Sequence, residues 1–225
     1  MAGFTGAPPI VTDGLIFAVD AANYESYTSG STTWTDLAGS NNGTLINGPT
    51  FDSGNGGSIV FDGSNDVVNG FSSLNLVTSN NNDKFTLCAF VKINSFKNFS
   101  GIIHLQSQVG MFTSADGGFS IQSDNDNAGT SPSNTQINDG GWHYICTSFE
   151  EETEYKGWKD GELVFTVPTS DNESPDVNQT VSIGYGMGSP TGTDGQISLV
   201  QIYNKILTNQ EVAQNYNALK SRFNL

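Results

Sequence analysis

The chain predicts an all-β fold, a two-sheet antiparallel jelly-roll sandwich closed by one short C-terminal helix, and three observations carry that expectation. Short apolar runs recur through nearly all of its 225 residues, each bounded by clusters of Gly, Asn, Asp or Ser. No amphipathic helical pattern separates them, so the alternation of strands and helices that builds a parallel sheet is missing. With 26 Gly and only 14% charged residues, solubility must rest on Asn, Ser, Thr and Gly, as it does in turn-rich β proteins.

The runs begin with LIFAVD (15–20), SIVFDG (58–63) and FTLCAFVKI (85–93). GIIHLQ, GMFTS, FSIQS, WHYICTSF, YKGWKDGELVFTV, TVSIGYG and ISLVQIY follow. In FTLCAFVKI, Phe85, Leu87, Ala89, Val91 and Ile93 fall on one face and Thr86, Cys88, Phe90 and Lys92 on the other. Both faces are apolar enough to predict a central strand. Asp160-Gly161 and Asp62-Gly63 mark tight reversals, where glycine accepts the positive φ that the turn demands. At the end of the chain, Thr208 and Glu211 have capping-box spacing, Leu207 and Val212 form a hydrophobic staple, and Val212, Tyr216 and Leu219 continue an apolar stripe. Asn-rich stretches at 40–43, 79–83 and 123–141 read as surface loops, the last long enough to suggest a function.

The length suits a single domain, with no visible linker. The predicted division is an extended arm over 1–12, whose paired prolines favour open backbone, and a β domain over 13–225. Phe4, Pro8, Pro9 and Ile10 are the arm residues expected to lie along a neighbouring molecule. Eight Lys and Arg against 23 Asp and Glu give a formal charge of −15, which repels a phosphate backbone and excludes nucleic acid as a partner. No stretch approaches the roughly 18 uninterrupted apolar residues of a membrane helix, and no signal peptide is evident in the opening MAGFTGAPPIVTDG. Cys88 and Cys146 both sit in apolar runs, so reduced core thiols are favoured over a disulfide.

Taken together, VFDGSNDVV (60–68), FTLCAFVKI, GWHYICTSF (141–149), YKGWKDGELV (155–164) and GQISLVQIYNKILTNQEVAQNYNAL (195–219) resemble the concanavalin A-like, laminin-G-like jelly roll of lectins, pentraxin relatives and many phage virion proteins. The opening GLIFAVDAANYESYTSGSTTWTDLAGSNNGTLINGPTF (14–51) resembles more narrowly the versions carried by tailed phages, marine ones especially. The resemblance implies a scaffold more than a chemistry. It also implies a virion setting.

Each candidate site follows from a residue type and its spacing. Glucanases of this fold carry alternating carboxylates on one strand, and the nearest feature here, Glu150, Glu151, Glu152 and Glu154, falls where a turn is expected. Neither His104 nor His143 has a nucleophile partner by pattern, so no catalytic residue is assigned and no enzyme is expected. Superfamily members often hold calcium with loop oxygens, which makes Asp62 and Asp66 the candidate calcium ligands; no other cofactor is implied. For carbohydrate, Trp158 is the leading stacking residue, standing where the family's hairpin has an aromatic, with Asp124, Asn125 and Asp126 of the long loop as polar partners. Trp34 and Tyr185 are poorer candidates, and the GYGMG run (184–188) lacks the Lys and helix of a phosphate loop. The expected function is a non-enzymatic phage virion protein, a capsid decoration or other surface component with glycan-binding capacity. Its partners would be other virion proteins, further copies of itself as a trimer, and a cell-surface glycan, and its location the virion surface after synthesis in the host cytoplasm. The alternative is a carbohydrate-binding adhesin module of a tail fibre, or a secreted lectin-like protein.

Overall fold

The computed structural model describes residues 8–74, 76, 84–105, 109–123, 134–169, 179–185 and 192–225. The chain opens with β1 (Leu15–Asp20), β2 (Thr33–Trp34), β3 (Gly43–Ile46), β4 (Thr50–Asp52) and β5 (Ser58–Asp62). It continues through β6 (Val67–Leu74), β7 (Lys84–Ser95), β8 (Ser100–Leu105), β9 (Val109–Thr113) and β10 (Phe119–Ser123). Then come β11 (His143–Glu150), β12 (Glu154–Lys159), β13 (Glu162–Pro168), β14 (Gln179–Ile183), β15 (Asp194–Tyr203) and the helix α1 (Asn209–Leu219).

These strands form two antiparallel sheets. The first runs β13-β12-β11-β7-β15-β5-β4, with β1 beside the second half of β15, and the second runs β10-β9-β8-β14-β6-β3-β2. The predicted runs all become strands, and β7 is central, held between β11 and β15. Its two faces divide as the alternation requires. Phe85, Leu87, Ala89, Val91 and Ile93 enter the core between the sheets, whereas Cys88 and Phe90 join a second apolar cluster on the outer side. The hairpin between β12 and β13 turns on Asp160 (φ 52°) and Gly161 (φ 88°), the pair of positive dihedrals that a two-residue reversal takes.

The helix begins as its capping signal predicts. Glu211 N–H donates to Thr208 Oγ1 (3.2 Å), and Thr208 N–H donates to Glu211 Oε2 (2.8 Å). Leu207 and Val212 are both buried in the outer cluster, so the staple orients α1 against the first sheet.

One expectation is overturned. Cys88 and Cys146 form a disulfide, because the antiparallel register of β7 and β11 sets them directly opposite, 4.1 Å apart at Cα. No pattern of spacing exposes that pairing, since the two lie 58 residues apart in sequence. Within the expected arm over 1–12, Val11 packs on the domain. Val11 is buried, its N–H donates to Asn215 Oδ1 (2.7 Å), and its carbonyl accepts from Tyr203 Oη (3.0 Å), so the chain's own helix and sheet hold it.

Candidate functional site

The two sheets both end on one side of the molecule, β4 at the edge of the first and β2 at the edge of the second. Two of the crossings between the sheets adjoin these edge strands, from β1 to β2 through residues 21–32 and from β3 to β4 through residues 47–49. Between these crossings lies a cleft of about 480 Å³, within the roughly 300–1,000 Å³ typical of small-ligand sites. Its wall is aromatic. The rings of Tyr27 and Phe51 meet at 5.3 Å with 33° between their planes, and Tyr27 Oη donates to the Ser31 carbonyl (2.9 Å), which fixes the ring. Burial raises the Tyr27 pKa, so its phenol stays neutral at ordinary pH. Ser29, Ser31, Thr32 and Thr50 supply hydroxyls around this wall, and the Gly48-Pro49 corner completes it beside Leu45.

Local sequence explains how the lining is held. Tyr27 N–H donates to the Asn23 carbonyl (2.8 Å), closing a turn over 23–27. Ser26 Oγ donates to the Thr35 carbonyl (2.6 Å), tying that turn to the segment after β2. The buried Asp36 accepts from the N–H groups of Ala18 (3.0 Å), Ala38 (3.0 Å) and Asn41 (3.2 Å), so the following loop is fixed by one carboxylate. Gly43 on β3 sits under the Phe71 ring, where an added Cβ would come within 2.1 Å of it. Only glycine lets that ring cross the strand.

The sequence-predicted residues do not converge on this cleft. Trp158 is 1% exposed, sealed between the first sheet and α1, with its Nε1–H donating to Asn209 Oδ1 (2.8 Å). A ring covered on both sides offers no face to a sugar, so its assignment as the stacking residue is corrected. Trp34 is likewise buried in the core, and Tyr185 is half-buried in a bridge to Gly192. Asp62 and Asp66 serve a turn: Asp66 Oδ2 accepts from Asp62 N–H (3.0 Å), and Asp62 Oδ1 accepts from Ser64 N–H (2.8 Å). Burial raises the Asp66 pKa, against the lowering effect of that hydrogen bond. Among the described residues no group of three or more His, Cys, Asp or Glu side chains is placed to hold a metal ion. Asp124, Asn125, Asp126 and Phe4 lie outside the described residues. Pro8 and Pro9 are exposed, Ile10 is half-buried, and the Pro9 carbonyl accepts from Gln214 Nε2 of α1 (2.8 Å).

His143 has a structural setting. Its Nδ1–H donates to Asp160 Oδ2 (2.8 Å) and its Nε2–H to Asp139 Oδ1 (3.0 Å). Burial opposes its protonation, but those two hydrogen bonds and the carboxylate charges outweigh burial and raise its pKa above the ordinary histidine value. His104 lies away from it on the second sheet, 5.8 Å from the Phe112 ring. The acidic run is a turn, as expected: Glu150 ends β11, Glu154 begins β12, and Lys156 pairs with Glu154.

Tyr27 and Phe51 were not legible as a site. The one local signal is the run SYTSGSTT (26–33), an aromatic among hydroxyls and glycine without a charge. It reads as a loop until β4 brings Phe51 beside it.

Comparison with known proteins places the scaffold. Domain 4 of a GH43 extracellular arabinanase from Geobacillus stearothermophilus, solved with arabinotriose, superposes with a TM-score of 0.68 at 18% identity, over 90% of this chain and 98% of that one. A mutant Trypanosoma rangeli sialidase displaying trans-sialidase activity superposes with a TM-score of 0.67 at 12% identity, over 95% of this chain. This chain spans 34% of that sialidase. The binding domain of Paraclostridial Mosquitocidal Protein 1 matches at 13% identity and a TM-score of 0.63, over 92% of this chain and 52% of that one. No curated protein matches the sequence. These likenesses establish the fold. They also overturn the expectation of no enzyme: the fold occurs within chains of a sialidase and an arabinanase, so a missing carboxylate motif does not exclude glycoside chemistry. The cleft is built wholly from residues 27–51, ahead of the segment matched by a laminin-G-type family model, residues 62–213. That match covers well over half of the chain, and the protein therefore belongs to the concanavalin A-like lectin/glucanases superfamily.

Proposed function

We propose that this domain recognises carbohydrate and that the edge cleft is where it does so. The observation that carries the reading is the half-buried Phe51 ring, backed by the buried Tyr27 and flanked by serine and threonine hydroxyls in an open cavity of about 480 Å³. A sugar ring presents an apolar C–H face and a periphery of hydroxyls, and the cleft offers an apolar surface with hydroxyls and carbonyls beside it. Two likenesses support the reading: an arabinanase domain solved with arabinotriose, and a toxin's binding domain. The test is a glycan array followed by calorimetry on the best ligand. Phe51→Ala should abolish most of the binding while Trp158→Ala, in protein that remains folded, should not. The opposite pattern would sink the proposal.

A second reading sets the same module on a phage particle, as a capsid decoration or comparable surface component held by other virion proteins and by copies of itself. It rests on the resemblance of residues 14–51 to tailed-phage proteins, and that stretch supplies the entire lining of the cleft. A virion peptide map without this chain would remove the second reading and leave the first standing.

A further inference from the structure

Resting on the reading that the edge cleft binds carbohydrate, we infer that its ligands are uncharged saccharides, and that sugars bearing carboxylate or sulfate are rejected. None of the residues lining the cleft is charged. The deficit extends well past the lining. The first 83 residues contain no Lys, Arg or His, and the stretch 14–51 that builds the cleft carries Asp20, Glu25 and Asp36 without one base. Glu25 lies in the same turn as Tyr27, two residues before it.

The chain's few cations are committed elsewhere. Arg222 binds Asp20 (2.8 Å), Lys205 binds Asp13 (2.6 Å) and Glu211 (2.8 Å), and Lys156 pairs with Glu154. Lys97 donates to the Gly63 carbonyl (2.8 Å), Lys159 to the Gln136 carbonyl (3.1 Å), and Lys220 lies 5.1 Å from the centre of the Tyr216 ring. Lys84 begins β7 opposite Glu150, and Lys92 lies mid-strand opposite Gln196, both away from the edge that holds the cleft. An acidic sugar entering the cleft would meet no counter-ion and would approach a molecule of formal charge −15. A carboxylate only accepts hydrogen bonds, and partial desolvation without a cation is costly. A neutral hydroxyl both donates and accepts, which matches the hydroxyls and carbonyls of this site.

The experiment compares neutral oligosaccharides (arabinotriose and gluco- and manno-oligosaccharides) with 3′-sialyllactose, oligogalacturonate and a sulfated heparin fragment, titrated into the whole chain. Neutral ligands should bind with affinity unchanged between ionic strengths of about 0.01 and 0.15 M, and acidic ones at least about tenfold more weakly at the lower strength. Ser29→Lys, at an exposed rim position, should narrow that gap. Phe51→Ala, or Thr32→Trp at the exposed rim if the first does not fold, reports whether a ligand uses the cleft. An acidic glycan that binds as tightly as a neutral one, and loses binding in these variants, would overturn the charge selectivity while upholding the cleft. If no saccharide binds, or if binding ignores the cleft variants, both the inference and the reading beneath it fail.

Discussion

Two aromatic groups of this sandwich meet different fates, one on the outer side of the first sheet and one at the edge of the core between the sheets. Beneath α1, Phe90 stacks on Phe223 with centroids 4.0 Å apart, Trp142 meets Phe223 at 4.8 Å, and Trp158 closes the cluster. At the edge, the buried Tyr27 meets at a comparable 5.3 Å the half-buried Phe51, which lines the cleft. The cover makes the difference: α1 seals Trp158, whereas Phe51 keeps part of its ring at the cleft. The covering helix is secured by polar bonds as well as apolar ones. Asn215, itself buried, donates to Tyr203 Oη (3.0 Å), and burial pushes the Tyr203 hydroxyl up to about 12 despite the lowering effect of that bond.

The comparison can be broken by experiment, most forcefully at the covered cluster. Trp158→Ala should cost about 3–5 kcal/mol of stability in urea unfolding, as large-to-small core changes do, while sugar affinity in the folded state stays within experimental error. A selective loss of binding with intact stability would return Trp158 to the site. Next comes the disulfide under the same helix: replacing Cys88 and Cys146 together by Ala should cost about 2–4 kcal/mol, and an unmodified chain should resist alkylation until reduced. Asn215→Ala should cost about 1–3 kcal/mol, because it strands the Val11 N–H and removes a donor from Tyr203 in a buried setting.

At the open cluster the expected effect is on binding. Phe51→Ala should weaken sugar affinity about tenfold, roughly 1.4 kcal/mol, measured by calorimetry. The smallest effect is electrostatic. His143 has a raised pKa, so its contribution to stability is full below the ordinary histidine value of 6.5 and is lost as pH rises through the higher folded-state value. The urea midpoint of the wild type should therefore fall relative to that of His143→Gln as pH increases through this window. A gap that widens with pH would show that the two carboxylates do not hold the imidazolium.

Strand positions were open to reading because alternation in a run such as FTLCAFVKI reflects burial on both sides of one strand, a local property. The same is true of the Thr208–Glu211 cap and the Asp160-Gly161 turn. β2, β3 and β4 escaped notice because they hold only two, four and three residues, too few for a period to register, and β6 because Asn69, Gly70, Ser72 and Ser73 interrupt its apolar pattern. The carbohydrate-stacking role assigned to Trp158 failed for a different reason. Its hairpin position is that of a half-exposed ring until α1, more than fifty residues later in the chain, lands on it.

By itself, the sequence determined most of the longer strands, the acidic balance, the capped helix and the membership of a lectin-like family, since each depends on near neighbours or on composition. The tertiary structure alone decided which aromatic rings keep an accessible part, that Cys88 faces Cys146, and that two separate loop segments converge on a neutral cleft. These depend on sheet register and helix docking, where residues far apart in the chain become neighbours only after the whole sandwich has closed.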